Sequence, residues 1–275
     1  MKKFLSVVLV AVMAAAALAS CSGDEVATTT VPGTTTAGNA GNATTTPAAF
    51  VTDPPSTEEG EEITYPKVKD DGLEELLAGK ISLNEAGKID MESLASVGFT
   101  TWNEEKENID KMFDTIDTYD EWYFDENGNL LEGADPNAEG GPTGGGPGKC
   151  GGPIKNPTFF YFGLTEKAKI EAYVITTGND NSKYTDRNPV EWTLYATNDL
   201  ATYEGCALDG EEFDETKWAK LDYVYDGALI PDNFVACGYE IDADKQGEYQ
   251  YYVWKLGYNA GSFQITELDL FVAAE

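Results

Sequence analysis

Short runs of apolar, aromatic and β-branched residues, rather than long helical repeats, make up the chain beyond Tyr65. Clusters of Asn, Asp, Gly and Pro separate these runs, a pattern that is typical of antiparallel β-structure. The pattern predicts an all-β fold, either an antiparallel β-sandwich or a barrel. The predicted strands are Thr158–Leu164, Lys169–Thr176, Glu191–Thr197, Gln250–Leu256 and Ser262–Val272, and one short helix is predicted over Leu73–Leu77.

The run Glu191–Thr197 shows a clear alternation of side chains. Successive side chains of a strand point to opposite faces of the sheet, so this run predicts one packed face and one face in water. The packed face would hold Trp192, Leu194 and Ala196, and the wet face would hold Thr193, Tyr195 and Thr197.

The first twenty residues have the features of an export signal. Two lysines precede the apolar run Phe4–Ala19, and small residues follow it, which is typical of a signal peptide over residues 1–20. Leu18–Cys21 resembles the bacterial lipobox, which implies cleavage before Cys21 and a diacylglyceryl group on its thiol. We therefore expect a lipoprotein at the extracellular face of a bacterial cytoplasmic membrane, with the lipid anchor as its sole membrane contact. The alternative is an ordinary secretory signal with an incidental cysteine.

A spacer follows the anchor. Residues 21–62 are rich in Thr, Ala, Gly and Pro and contain almost no large apolar side chains, so they predict a disordered linker. The folded domain is then expected over residues 63–275. Within it, the glycine-rich stretch 133–152 predicts a surface loop.

Charge and residue types exclude several functions. The formal net charge of −31 opposes binding to nucleic acids and to anionic lipid surfaces. The chain has no histidine, which excludes histidine-based serine or cysteine triads and leaves a zinc site without its commonest ligand. With Cys21 lipidated, at most one disulfide can form among Cys150, Cys206 and Cys237.

Several motifs resemble one family, in that family's order, from about residue 90 to the C-terminus. The central motif spans Thr176–Asp180, Arg187–Pro189, Glu191–Tyr195 and Thr197–Asp199; the flanking motifs are Met112–Trp122, Lys149–Gly151, Trp218 with Leu221–Asp222, Tyr249–Leu256 and Gln264–Leu268. They are similar to discoidin domains, also called coagulation factor 5/8 type C domains, which are galactose-binding-like jelly rolls related to the family 32 carbohydrate-binding modules (CBM32). The resemblance implies a β-sandwich.

The resemblance also implies a structural calcium ion, held by a loop after the first strands and by a late glutamate. The implied side-chain ligands are Asp114, Thr118 and Glu267, and the implied backbone carbonyls are those near Lys111, Ile116 and Thr266. The sequence departs from the family pattern at Thr115, where glycine is usual, and by one extra residue before Trp122. These departures make Asp117 or the carbonyl of Tyr119 alternatives to Thr118. A solvated acidic turn is the other interpretation.

Aromatic side chains are the expected ligand contacts, because a flat ring can stack on the apolar face of a sugar. Trp122, Trp192 and Trp218 match family positions that fill the core. Four aromatics lie off those positions or in predicted loops and are the stacking candidates: Trp102, Tyr184, Tyr225 and Trp254. Arg187, the single arginine of the chain, could clamp a ligand or hold its own loop by bonding Asp180.

These features together predict a surface-tethered, non-catalytic lipoprotein that binds a poly- or oligosaccharide. A protein-binding or adhesion module on the same scaffold is the alternative, with surface proteins as its partners. A small surface-anchored enzyme is a third reading. It has less support, because no motif organises the many carboxylates into a catalytic pair.

Overall fold

The computed structural model describes residues 70–137, 148–225 and 232–274. They all belong to the unit Asp53–Glu275. The predicted signal peptide, Cys21, the linker and residues 138–147 of the glycine-rich stretch lie outside this part of the chain. Within the part that is described, no helix is long and apolar enough to cross a membrane.

The described strands form two antiparallel sheets. The strands are β1 (Lys80–Ser82), β2 (Ile89–Phe99), β3 (Cys150–Lys169), β4 (Ala172–Thr176), β5 (Glu191–Thr197), β6 (Ala219–Tyr225), β7 (Ala236–Glu240), β8 (Glu248–Tyr258), β9 (Ser262–Ile265) and β10 (Glu267–Ala273). The first sheet has the order β1-β10-β4-β7, and the second has the order β2-β3-β8-β5-β6, with β9 paired to the beginning of β3. The prediction of an antiparallel β-sandwich is confirmed.

The main core lies between the two sheets. The second sheet contributes Trp192 and Trp254, both fully buried, and the first contributes Ile175 and Leu270. The alternating residues of each strand supply this core, as the sandwich architecture requires. Trp122, Trp192 and Trp218 are all buried, which confirms the prediction that they are core residues.

Strand β5 has the predicted bounds, but the prediction of a wet face is wrong. Thr193, Tyr195 and Thr197 are all buried. The cause is helix α3 (Leu200–Ala207) with the segment that follows it, because Tyr203 and Trp218 pack with Tyr195 in a second cluster on this outer face. The second sheet is therefore covered on both sides along β5.

Helix α1 (Asp70–Leu77) contains the predicted short helix and covers the outer face of the first sheet. Its residues Leu73 and Leu76 pack against Val174 and Phe271. Gly238 on β7 leaves room for the helix, because a Cβ atom there would lie 2.5 Å from Leu76 Cδ2. Besides α1 and α3, the described residues form α2 (Tyr119–Tyr123) and three 3-10 turns, Ile109–Met112, Thr185–Arg187 and Glu215–Lys217.

The three cysteines of the domain lie on different elements. Cys150 begins β3, Cys206 is in α3 and Cys237 is in β7, and all three are buried thiols outside any disulfide.

Candidate ligand-binding site

Three of the predicted ligand residues lie together at one end of the sandwich. The guanidinium carbon of Arg187 is 3.8 Å from the centre of the Tyr184 ring and 4.5 Å from the centre of the Trp102 ring. Trp102 follows strand β2, whereas Tyr184 and Arg187 belong to the loop between β4 and β5. The Trp102 side chain is 41% exposed. A cation packed against both rings fixes their positions and leaves part of the indole open to solvent.

A network of polar side chains holds Arg187 from below. Arg187 Nη1 donates to Gln264 Oε1 at 3.1 Å and lies 3.8 Å from Asp180 Oδ2. Gln264 Nε2 in turn donates to Asp180 Oδ1 at 2.7 Å and to Asn181 Oδ1 at 2.9 Å. The structure therefore gives Arg187 the loop-holding contact with Asp180 that the sequence left as one of two options.

Lys149 anchors this network from inside the protein. Its side chain is only 7% exposed. Nζ donates to Asn179 Oδ1 at 3.0 Å and also to Asp180 Oδ1. Burial lowers the pKa of Lys149, and the charge of Asp180 opposes that shift. Sequence reasoning missed Lys149 as a site residue, although it noticed the motif Lys149–Gly151 that contains it.

Glycine at the start of β3 allows Trp102 to approach the sheet. The Trp102 amide donates to the Gly151 carbonyl at 3.2 Å. A Cβ atom on Gly151 would lie 3.0 Å from Trp102 Cζ3, and one on Gly152 would lie 2.1 Å from the Thr100 carbonyl oxygen. Gly151 thus lets the indole approach β3, and Gly152 lets the backbone before Trp102 approach the same strand.

The charges of the site balance. Burial is the main cause that raises the pKa of Glu107, and the charges of Lys149, Asp180 and Arg187 also act on it. These four groups comprise two cations and two anions, so the site carries little net charge despite the acidity of the chain. Such a site offers hydrogen-bond donors and acceptors without selecting strongly for a charged ligand.

The other two stacking candidates lie on strands of the second sheet rather than in the loops that carry the stack. Trp254 was predicted as a ligand contact, and this is wrong: its side chain is fully buried because β8 is an inner strand and the indole points into the core. There it packs on Phe160 and Trp192, with ring centres 5.9 Å and 6.0 Å away. Tyr225 ends the edge strand β6 opposite Glu191 and is half-buried.

A second polar cluster contains the residues expected to bind calcium. Glu267 is 2% exposed, and its two oxygens accept from Asn84 Nδ2 at 2.5 Å and from the Thr115 amide at 3.2 Å. Burial, and after it the charges of Asp114 and other carboxylates, raises the pKa of Glu267 to about 9. Burial also raises the pKa of Asp114 to about 6.

Asp114 carries an oxygen that lacks a hydrogen bond. Oδ1 accepts from the Ile116 amide at 3.3 Å, but Oδ2 is buried without a hydrogen-bond partner, and the nearest cation is Lys111 Nζ at 3.4 Å. Buried carboxylate oxygens normally have partners. Carboxylate oxygens, such as this one and those of Glu267, are the ligands that a hard cation prefers.

The remaining expected calcium ligands are placed differently. The Thr118 hydroxyl donates to Glu121 Oε2 at 2.6 Å and accepts from the Glu121 amide, so it caps helix α2. Asp117 Oδ2 accepts from Thr176 Oγ1 at 3.2 Å, and Tyr119 lies on the surface. Within the ranges that the structure describes, no group of three Cys, Asp or Glu side chains is arranged to hold a metal. The expected set has only two carboxylates, so it stays a prediction.

Comparisons with known proteins gave matches among solved structures. No family model matches the chain, and no curated protein matches its sequence. Among solved structures it is similar to the Clostridium perfringens module CpGH89CBM32-5 in complex with GalNAc-β-1,3-galactose, at 9% identity and a TM-score of 0.41, over 70% of this chain and 100% of that one.

Two further matches belong to the same kind of module. The family 32 carbohydrate-binding module of Streptococcus pneumoniae EndoD shares 13% identity at a TM-score of 0.37, over 64% of this chain and 94% of that one. The family 32 module of C. perfringens NanJ, in complex with galactose, shares 11% identity at a TM-score of 0.36, over 70% and 99%. Because this similarity is so low, the fold assignment rests on the two sheets described above, and any inference about a ligand rests on the geometry of the site.

Proposed function

We propose that this protein is a surface-tethered, non-catalytic lipoprotein that binds carbohydrate through the stack formed by Trp102, Arg187 and Tyr184. The observation that carries the proposal is the exposed indole of Trp102, fixed against a cation at the open end of the sandwich. A ring that is already immobilised loses little conformational entropy when a ligand stacks on it.

The surroundings of the indole suit a sugar. A pyranose has an apolar face for the ring and hydroxyl groups that need both donors and acceptors. Arg187 supplies donors, and Asp180 and Glu107 supply acceptors near the stack. Because the charges nearly cancel, a neutral glycan fits this site better than a phosphate or another strongly charged group.

The test is binding of the full-length protein, in detergent, to an array of immobilised glycans. We expect specific binding, and Trp102→Ala should weaken it by about tenfold or more, because the stacking ring is lost. Leu130→Ala is the matched control, since Leu130 is also exposed, at 50%, but lies outside the stack. Equal binding by Trp102→Ala, or no binding to any glycan by the folded protein, would refute the proposal. Capture of a surface protein instead would favour an adhesion module.

We also propose that Asp114 and Glu267 hold a structural calcium ion, completed by backbone carbonyls near Lys111, Ile116 and Thr266. Calcium would neutralise the carboxylates of Asp114 and Glu267, because the negative charge of Asp114 disfavours the ionised form of the buried Glu267. The support is the buried Asp114 oxygen without a hydrogen bond.

Thermal unfolding with calcium and with a chelator tests the calcium site. Since a ligand that binds only the folded state stabilises it, calcium should raise the melting temperature. Asp114→Asn should abolish that rise, whereas the exposed acidic variant Asp120→Asn should keep it. An identical melting temperature with calcium and chelator would contradict the site.

The tether is a separate proposal, and it concerns residues that lie before the described part of the chain. Cys21 would carry the lipid, and residues 21–62 would separate the domain from the membrane. Metabolic labelling with a fatty acid should mark the wild-type protein and leave Cys21→Ser unlabelled. Labelling of Cys21→Ser at the wild-type level would show that the lipid, if any, is elsewhere.

A further inference from the structure

A groove opens on the outer face of the second sheet, beside the segment that follows helix α3. We call it the outer groove. Its volume is about 390 Å³, and its lining includes Val97, Phe159, Glu211, Glu212, Phe213 and Lys255. Val97, Phe159 and Lys255 are cross-strand neighbours on β2, β3 and β8, so their side chains share this outer face. None of these residues belongs to the Trp102 stack.

The aromatic floor of the outer groove rests on a buried layer. The ring centres of Phe159 and Phe213 are 5.2 Å apart. Phe213 stacks on the buried Trp218 at 5.5 Å, and Phe159 stacks on the buried Tyr161 at 6.1 Å. Each half-buried ring is thus held in place by a buried ring next to it. The groove presents a rigid apolar surface, flanked by Val97, which is 40% exposed.

Polar groups surround this floor. Lys255 Nζ donates to Glu215 Oε1 at 2.7 Å and lies 5.7 Å from the centre of the Phe213 ring. Glu211 and Glu212 are exposed in the segment that also carries Phe213. The rim therefore offers an ammonium donor and several carboxylate acceptors around an apolar floor.

This combination points to a small amphipathic ligand. A pyranose has both features: its apolar face can stack on the rings, and the hydroxyl groups at its edge can bond to the rim. The three carboxylates against one ammonium disfavour an acidic sugar. The groove is too small for a folded partner, which needs a contact area several times larger.

We propose that the outer groove is a second binding site, for a neutral pyranose unit of a glycan, and that it acts independently of the Trp102 stack. Two sites on one chain would bind a multivalent polysaccharide more tightly than either site alone, because the second contact becomes intramolecular.

Fluorine NMR of the full-length protein labelled with 5-fluorotryptophan separates the two sites. Trp218 lies directly under Phe213 and reports on the outer groove, whereas Trp102 reports on the stack. The two resonances are assigned with Trp218→Phe and Trp102→Phe. The probes are galactose, N-acetylgalactosamine, glucose, N-acetylglucosamine and mannose, with glucuronic acid as the acidic comparison. We expect at least one neutral sugar to shift the Trp218 resonance in a saturable way, and glucuronic acid to leave it in place.

Two variants test whether the response comes from the groove. Phe213→Ala removes part of the floor and should raise the dissociation constant read from Trp218 by about tenfold or more, leaving the Trp102 response unchanged. Val97→Lys places a charged side chain at an already exposed position and should have the same effect without disturbing the core. Leu208→Ala is the control, because Leu208 is 66% exposed on the same segment but is absent from the lining.

The proposal is overturned if no neutral sugar shifts the Trp218 resonance, or if the shift persists unchanged in both Phe213→Ala and Val97→Lys. A response at Trp218 without one at Trp102 would support the outer groove and refute the proposed function of the stack. A response at Trp102 without one at Trp218 would support the stack and refute the outer groove, so each proposal can fail without the other.

Discussion

The pair Lys149–Asp180 should be strongly coupled, because it is the buried ion pair that holds the candidate site. The Lys149 side chain is 7% exposed and that of Asp180 is 20% exposed. Removing one partner of a buried pair leaves the other charge uncompensated, at a cost of about 3–5 kcal/mol when both are fully buried. Because Asp180 keeps some contact with water, we expect a coupling free energy of about 2–3 kcal/mol.

A double-mutant cycle measures this coupling. Lys149→Met, Asp180→Asn and the double variant are unfolded in urea, and tryptophan fluorescence is followed. All five tryptophans lie between residues 102 and 254, so the signal reports this domain. The double variant should be less destabilised than the sum of the single variants, since it leaves no unpaired charge.

An exposed pair of similar geometry is the control. Lys88 Nζ and Glu166 Oε1 are 2.6 Å apart, but their side chains are 40% and 67% exposed. Such a pair should couple by about 0–1 kcal/mol. If the Lys149–Asp180 cycle gives a value as small as the Lys88–Glu166 cycle, burial does not strengthen the pair and the reasoning is refuted.

Three further predictions concern backbone, packing and exposure. Thr115 has a φ of 63°, which strains a β-branched residue. Thr115→Gly should therefore raise the free energy of unfolding, measured by urea titration, by about 0.5–1 kcal/mol, and a decrease in that free energy would refute the strain. Gly238→Val should displace Leu76 and detach helix α1 from the sheet. Amide hydrogen exchange in that helix should then be faster, and an unchanged exchange rate would contradict the packing. Trp254→Ala should cost about 3–5 kcal/mol in unfolding experiments, whereas Trp102→Ala should change stability by less than about 1 kcal/mol, and equal costs would refute their assignment to core and surface.

The sequence predicted the general architecture, but its single strand Ser262–Val272 is wrong: this run forms β9 and β10, which pair with different strands. Strand β5 was predicted with its correct bounds, because Trp192, Leu194 and Ala196 repeat with period two. The sequence could not predict the burial of Thr193, because that burial depends on where helix α3 packs, which is a tertiary effect. Strand β1 is only three residues long, too short for periodicity to show.

The candidate site was predicted in part for a similar reason. Trp102, Tyr184 and Arg187 were named as separate candidates, but their contact depends on two loops that are distant in sequence. Trp254 was misassigned because an aromatic residue on an inner strand looks the same in the sequence as one beside a loop. Lys149 was missed because lysine side chains are rarely buried, so a lysine at this position is expected to be exposed to solvent.

The burial of Lys149 is better explained by geometry than by stability. A buried ion pair is weak evidence for stability, because apolar residues of similar volume often do as well. Apolar residues could not, however, orient Asp180, which also accepts a hydrogen bond from Gln264, the residue that accepts from Arg187. The chain of contacts from Lys149 to Arg187 ends at the exposed face of Trp102. The network therefore fixes the direction of a surface ring from inside the fold, which is the preorganisation that a stacking site requires.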